Sequence, residues 1–187
     1  MDVIERWQSG DVSAFEALFH QYYRSVFTTA LIMLGSRDEA EDALQEIFVA
    51  MWRSRSTFDP ARGGLSTWLH RIAINHCASR RRTRRAATVP LEEATEAHLE
   101  RQWPSHPDSP EELAMSQWEH ERMMAAIGSL DERQRSVLVL RYYGELSYQE
   151  IAQALDIPLG TVKSRLSQAL RGLRRLLVAE GQRCGEA

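Results

Sequence analysis

The stretch Ser147-Tyr-Gln-Glu-Ile-Ala-Gln-Ala-Leu-Asp156, Ile157-Pro-Leu-Gly160, Thr161-Val-Lys-Ser-Arg-Leu-Ser-Gln-Ala-Leu-Arg171 reads as a short helix, a turn and a second helix running to about Leu177. Ser147 and Glu150 form a capping box, in which the serine oxygen accepts from a free amide of the first turn while the glutamate reaches back to the cap. With Val162 at zero and about 100° per residue, Leu166, Ala169 and Leu170 return to one side of the second helix. Ser164, Ser167, Gln168 and Arg171 gather on the other, with Thr161 at the start and Lys163 and Arg165 flanking. Arginine reads guanine bidentately, glutamine reads adenine and lysine holds phosphate, so this face suits a major groove. An ordinary solvated face is the alternative. The turn, the small residues and the basic flank together favour DNA.

Four more Ser-x-x-Glu boxes mark helix starts at Ser13/Glu16, Ser36/Glu39, Ser109/Glu112 and Ser129/Glu132. After the first, Phe15, Leu18, Phe19, Tyr22, Val26 and Met33 follow the spacing of one buried helical face. After the second come Ala40, Ala43, Leu44, Ile47, Phe48 and Met51, with Glu39, Glu41, Asp42 and Glu46 turned elsewhere. Asp59-Pro-Ala-Arg-Gly-Gly64 breaks the pattern by turn chemistry. A third long helix is expected from Leu65 to about Arg82, burying Leu65, Trp68, Leu69 and Ile72. No period is sustained between Arg85 and Ser109, where Pro90, Pro104 and Pro107 discourage one, and Pro110 then suits a first helical position. Without strand-type alternation, the expected fold is all-α: two small helical domains joined by a flexible linker, with boundaries at 1–85, 86–108 and 109–180 and a tail at 181–187.

Charge is segregated along the chain. Residues 60–91 contain no Asp or Glu but do contain Arg62, Arg71, Arg80, Arg81, Arg82, Arg84 and Arg85; from Glu92 to Glu121 nine acids face a single Arg101. The net charge of -3 therefore does not argue against a nucleic-acid partner. Cys77 and Cys184 belong to no metal-binding or redox spacing, so neither a metal nor a cofactor is expected. The start Met1-Asp-Val-Ile-Glu5 lacks the pattern of a signal peptide, and no apolar run approaches the roughly 20 residues needed to span a bilayer. A cytoplasmic protein without membrane insertion is expected.

The segment from Leu130-Asp-Glu-Arg-Gln-Arg-Ser-Val-Leu to Ala152, with Gly160-Thr-Val-Lys-Ser-Arg-Leu166 and Leu170-Arg-Gly-Leu-Arg174, resembles region 4 of extracytoplasmic-function (ECF) sigma factors of the sigma-70 family. Ala14-Phe-Glu-Ala-Leu-Phe-His-Gln-Tyr-Tyr23, Asp38-Glu-Ala-Glu-Asp-Ala-Leu-Gln-Glu-Ile-Phe-Val-Ala-Met-Trp52 and Thr67-Trp-Leu-His-Arg-Ile-Ala-Ile-Asn75 are similar to region 2 in order and spacing. The resemblance implies a promoter-recognition subunit of bacterial RNA polymerase. Its second helix would dock on the clamp helices of the largest polymerase subunit through Asp42, Gln45 and Glu46. Arg71 and Asn75, with Arg80, Arg81 and Arg82, would read the -10 element and assist melting. Thr161, Lys163, Ser164, Arg165, Gln168 and Arg171 would read the -35 element. An anti-sigma factor is a further expected partner.

Extended at roughly 3.3 Å per residue, the linker would reach about 80 Å, enough for elements some 17 base pairs or about 58 Å apart. By the resemblance to sigma factors, whose linker threads polymerase channels, its Glu92, Glu93, Glu96, Glu100 and Asp108 would imitate RNA there; solvation, or masking of the neighbouring arginines, is the alternative. Trp68, spaced with Leu65, Leu69 and Ile72, is expected in the core rather than as a stacking platform. Two other functions compete with this reading: a helix-turn-helix regulator that binds DNA without polymerase, and a hydrolase using Asp38, Glu39, Glu41 and Asp42. The first lacks a receiver-like or ligand-pocket pattern; the second lacks a nucleophile-base pair and a phosphate loop.

Overall fold

The computed structural model describes residues 2–87 and 122–184, so the expected linker beyond residue 87, its acids and the Ser109 box lie outside the described residues. Among the described residues the regular elements are all helical. Helix α1 spans Val3–Gln8, α2 Val12–Leu34, α3 Arg37–Arg53 and α4 Leu65–Ala87, with two short 3-10 turns, Arg55–Thr57 and Pro60–Arg62, between α3 and α4. Helix α5 covers residues 122–129, followed by α6 Glu132–Tyr142, α7 Tyr148–Leu155 and α8 Leu159–Cys184.

Two of the expected caps act as the sequence suggests: Ser36 accepts from Glu39 N, and Ser147 with Glu150 closes a full capping box. At α2 and α6 the cap is instead an aspartate. Asp11 accepts from Ser13 N and Ala14 N, and Asp131 accepts from Arg133 N. In both cases a carboxylate lying two residues from the serine takes the free amides, and Ser129 turns back to the Ala126 carbonyl. The six-residue α1, with its Asp2/Glu5 capping box, adds a helix for which the sequence shows no apolar period. It exists to deliver Trp7, fully buried, against Phe58 and Trp68 at ring distances of 6.0 and 5.8 Å. Trp68 is thus a half-buried core wall, as its spacing suggested.

The first domain packs α2, α3 and α4 around Leu18, Val26, Met33, Ile47, Met51 and Leu69. The second gathers Ile127, Val137, Leu140, Ile151, Val162 and Ala169. Helix α6 buries six consecutive residues, Arg135 to Leu140. A helix hidden on every side must be central, and α6 is: it contacts α7 and α8 of its own domain and α2 and α4 of the other.

The two domains therefore close on each other. Arg135 Nη1 donates to the Met33 carbonyl at 3.4 Å, and Thr67 Oγ1 donates to Glu150 at 3.4 Å. Two glycines let the surfaces meet. A Cβ on Gly63, whose φ is 146°, would fall 2.9 Å from the Gln153 amide, and a Cβ on Gly144 would fall 3.2 Å from the His70 ring.

His70 itself is 1% exposed. Its Nδ1 donates to the Ser66 carbonyl at 2.8 Å, and its buried Nε2 has no hydrogen-bond partner. Burial lowers its pKa, opposed by the Ser66 carbonyl. From the facing domain come Glu150, held down by Ser147, and Tyr143, pushed up by burial. A group with a lowered pKa stabilises the closed form fully above the free imidazole value, about 6.5, and this contribution is lost as pH falls toward the lowered value. The distance between fluorophores on the two domains is accordingly expected to lengthen as pH drops from about 7.5 to 5, and to stay constant in His70→Asn. Equal responses of both proteins would exclude His70 as the cause.

Candidate DNA and polymerase interfaces

Helix α8 begins two residues earlier than expected, because the Pro158 carbonyl accepts from Thr161 N and Val162 N at 2.8 and 3.2 Å. The turn of the helix-turn-helix is therefore Asp156 to Pro158, and Asp156 makes it with a left-handed φ of 51°, a conformation that short polar side chains tolerate. Val162, Leu166, Ala169 and Leu173 anchor α8 in the core. That leaves Lys163, Ser164, Ser167, Gln168 and Arg171 exposed on the outer side, with Thr161 and Arg165 half-buried at its margins. Arg171 Nε donates to the Ser167 carbonyl at 3.3 Å, and Gln168 accepts from Gln134 at 3.4 Å. Leu170, expected inside, is 42% exposed, at the edge of the buried arc.

Helix α4 runs past Arg82 to Ala87 and carries two different charged stripes. Arg71, Asn75 and Arg82 are exposed along one side. Arg71 also lines a cleft of about 280 Å³ with Arg62, Trp68, Gln153 and Asp156, so α7 roofs this part of the surface in the closed molecule. The second stripe, His76, Arg80 and Arg84, turns toward α3. Arg80 lies 3.0 Å from Asp42 and 3.6 Å from Glu46, His76 Nε2 lies 3.1 Å from Glu46 without hydrogen-bond alignment, and Arg84 lies 3.2 Å from Glu39. Arg81 reaches the Met33 carbonyl at the end of α2. Of the five residues expected at the -10 element, three thus face outward and two face neighbouring helices.

On α3, Asp42, Gln45 and Glu46 are exposed on one face; spacing placed Asp42 and Glu46 there, and Gln45 joins them. Val49, 46% exposed, belongs to the same face and lines a groove of about 740 Å³ with Gln45, Glu46, Ile72 and His76. The sequence held its signal, an apolar residue in register with a polar stripe. Cys77 is buried in the α4 core, where burial pushes its thiol up to about 12 and leaves it unreactive at neutral pH. Among the described residues no cluster of three His, Cys, Asp or Glu side chains is placed to hold a metal, and no helix is long and apolar enough to cross a membrane.

Residues 18–87 match the family described as Sigma-70 region 2, and residues 126–175 match Sigma-70, region 4. The ECF RNA polymerase sigma factor SigK of Mycobacterium tuberculosis is 31% identical over 178 residues, covering 95% of this chain and 93% of that protein. The chain belongs to the ECF sigma factors. SigK of Mycobacterium ulcerans is similarly related, at 30% identity over 170 residues covering 91% of this chain and 89% of its own. Among solved structures, CnrH in complex with the cytosolic domain of CnrY superposes with a TM-score of 0.70 at 26% identity, covering 95% of this chain and 96% of CnrH. The fold likewise matches sigma factor RpoE in complex with anti-sigma factor NepR from Bartonella quintana, with a TM-score of 0.69 at 24% identity over 87% of this chain and 96% of that one. An ECF sigma factor is the promoter-recognition subunit of RNA polymerase, and the helix-turn-helix of this one presents a polar face consistent with that task.

Proposed function

We propose that this sigma factor divides its work between the exposed faces of three helices. Residues 1–85 form a region that binds the clamp of core polymerase through Asp42, Gln45 and Glu46, with Val49 as the apolar contact beside them. The same region engages the -10 element through Arg71, Asn75 and Arg82, with Arg80 and Arg81 behind them. Residues 109–180 read the -35 element with Thr161, Lys163, Ser164, Arg165, Gln168 and Arg171; residues 86–108 join the two regions, the first two of them still within α4, and of the expected tail 181–187 residues 181–184 continue α8. The observation that carries this reading is that the acidic face of α3, the outward stripe of α4 and the reading face of α8 are all held outward by buried apolar stripes on the same helices. The protein catalyses nothing itself and acts in the cytoplasm, where polymerase supplies the chemistry.

An anti-sigma factor is part of this proposal. The likeness to CnrH spans both domains, and CnrH was captured with CnrY; a comparable regulator would hold this chain in its closed form. The deciding experiment is run-off transcription with purified core polymerase on promoters selected from a random library. The sigma factor is expected to confer initiation at defined sites, with core alone giving none. Operator binding by the pure protein without any promoter-specific transcript would instead make it a polymerase-independent regulator.

A further inference from the structure

A side-chain amide has a carbonyl edge that accepts and an NH2 edge that donates, so whichever edge the protein engages decides what is left for a ligand. The reading face of α8 carries three such engagements. Ser164 Oγ donates to the Thr161 carbonyl at 3.0 Å, and Arg171 Nε donates to the Ser167 carbonyl at 3.3 Å. Gln168 Oε1 accepts from Gln134 Nε2 at 3.4 Å. The first two bonds stay within one turn of α8, whereas the third comes from another helix. Gln134 is half-buried in the first turn of α6, next to Arg135, whose bonds to four carbonyls fix that end of the helix. Gly172, one turn beyond Gln168, allows the close approach: a Cβ there would lie 3.1 Å from Leu130 Cδ2, just before α6.

We infer that Gln134 is a positioning residue for base reading: it turns the Gln168 carbonyl toward α6 and leaves the Gln168 NH2 as the edge presented to the major groove. The inference rests on the -35 role given to α8. A glutamine reads adenine by using both edges at once, donating to N7 and accepting from the N6 amine. With its carbonyl turned to Gln134, Gln168 keeps only the donating half of that pair. It then fits a base edge made of acceptors, guanine N7 and O6 or thymine O4. The terminal nitrogens of Arg171, three residues along the same face, are donors as well. Two neighbouring side chains therefore select bases of the same kind, and the choice at Gln168 is made by a residue that does not touch DNA.

The test is promoter selection by reconstituted holoenzyme from a library randomised in the -35 element. The wild-type chain is expected to favour guanine or thymine at one position, and Gln168→Ala to lose that preference, roughly threefold to tenfold for one hydrogen bond, at that position alone. Gln134→Glu supplies a carboxylate, which only accepts. Gln168 then turns its NH2 to α6 and its carbonyl to the groove, and the preference at the same position moves to adenine or cytosine, whose amines donate. In the Gln168→Ala background, Gln134→Glu is expected to change nothing there, which separates positioning from a charge placed near DNA or a loosened helix. A wild-type preference for adenine or cytosine at the Gln168 position overturns the inference. So does an unaltered preference in Gln134→Glu, or an equal shift in both backgrounds. If Gln168→Ala changes no position while Arg171→Ala does, Gln168 stands outside the groove: the inference fails and the α8 assignment survives. If neither changes any position, the -35 assignment fails with it.

Discussion

Asp42→Arg combined with Glu46→Arg is expected to abolish binding to core polymerase, lowering affinity at least 100-fold in a native-gel or pull-down assay. The two carboxylates are more than half exposed and project from a helix whose opposite face is locked by Ala43, Leu44, Ile47 and Met51. The face cannot rotate away. Reversing both charges sets cations against a basic partner surface, and like-charge juxtaposition across an interface costs several kcal/mol. Inside the molecule the same change brings two arginines against Arg80, but at a solvated position where repulsion is screened. The thermal midpoint should therefore shift by only a few degrees while polymerase binding disappears. Retained binding at wild-type strength would remove α3 from the polymerase interface.

Arg135→Ala is expected to cost about 3 kcal/mol or more of folding stability, read as a lower denaturant midpoint. Arg135 is 4% exposed and donates to the carbonyls of Ile127, Gly128, Leu130 and Met33. Three of these carbonyls close the end of α5 and the turn into α6, and Met33 is the penultimate residue of α2 in the other domain. Free carbonyls at helix ends carry the negative pole of the peptide dipoles, where a guanidinium is favoured. Truncation strands buried acceptors, each costing about 1–3 kcal/mol. Arg135→Lys should rescue poorly, since an ammonium cannot span four carbonyls with the planar fork of arginine. A loss below about 1 kcal/mol would mean that the acceptors find other partners and that Arg135 is dispensable.

Much of this architecture was readable from the residues alone. The buried face of α3 was given residue by residue by its spacing, and the helix-turn-helix by the Ser147 box and the apolar positions Val162, Leu166 and Ala169. Errors arose where two local signals competed. Asp11 and Asp131 outbid the serines that follow or precede them, and Gly160, read as a turn residue, sits within the first turn of α8. Leu170 was misplaced because a wheel gives an angle without saying how wide the covered arc is. The directions of Arg80, Arg81 and Arg135 were unreadable for a different reason. A run of arginines announces charge, but whether each meets a carboxylate, a carbonyl or solvent depends on helices distant in sequence. The contact between the domains is of the same kind, since Gly63 and Gly144 acquire meaning only once Gln153 and His70 stand opposite them.

The burial of the middle of α6, Arg135 to Leu140, has a consequence for solubility. Were α2 and α4 to part from α6, the strip they cover would be bared, Arg135 and Ser136 with it, on a molecule that already exposes Tyr142, Tyr148 and Leu170. Contiguous surface of that kind favours self-association. The closed molecule is thus expected to stay monomeric at concentrations where a variant with its domains forced apart self-associates, as light scattering would show.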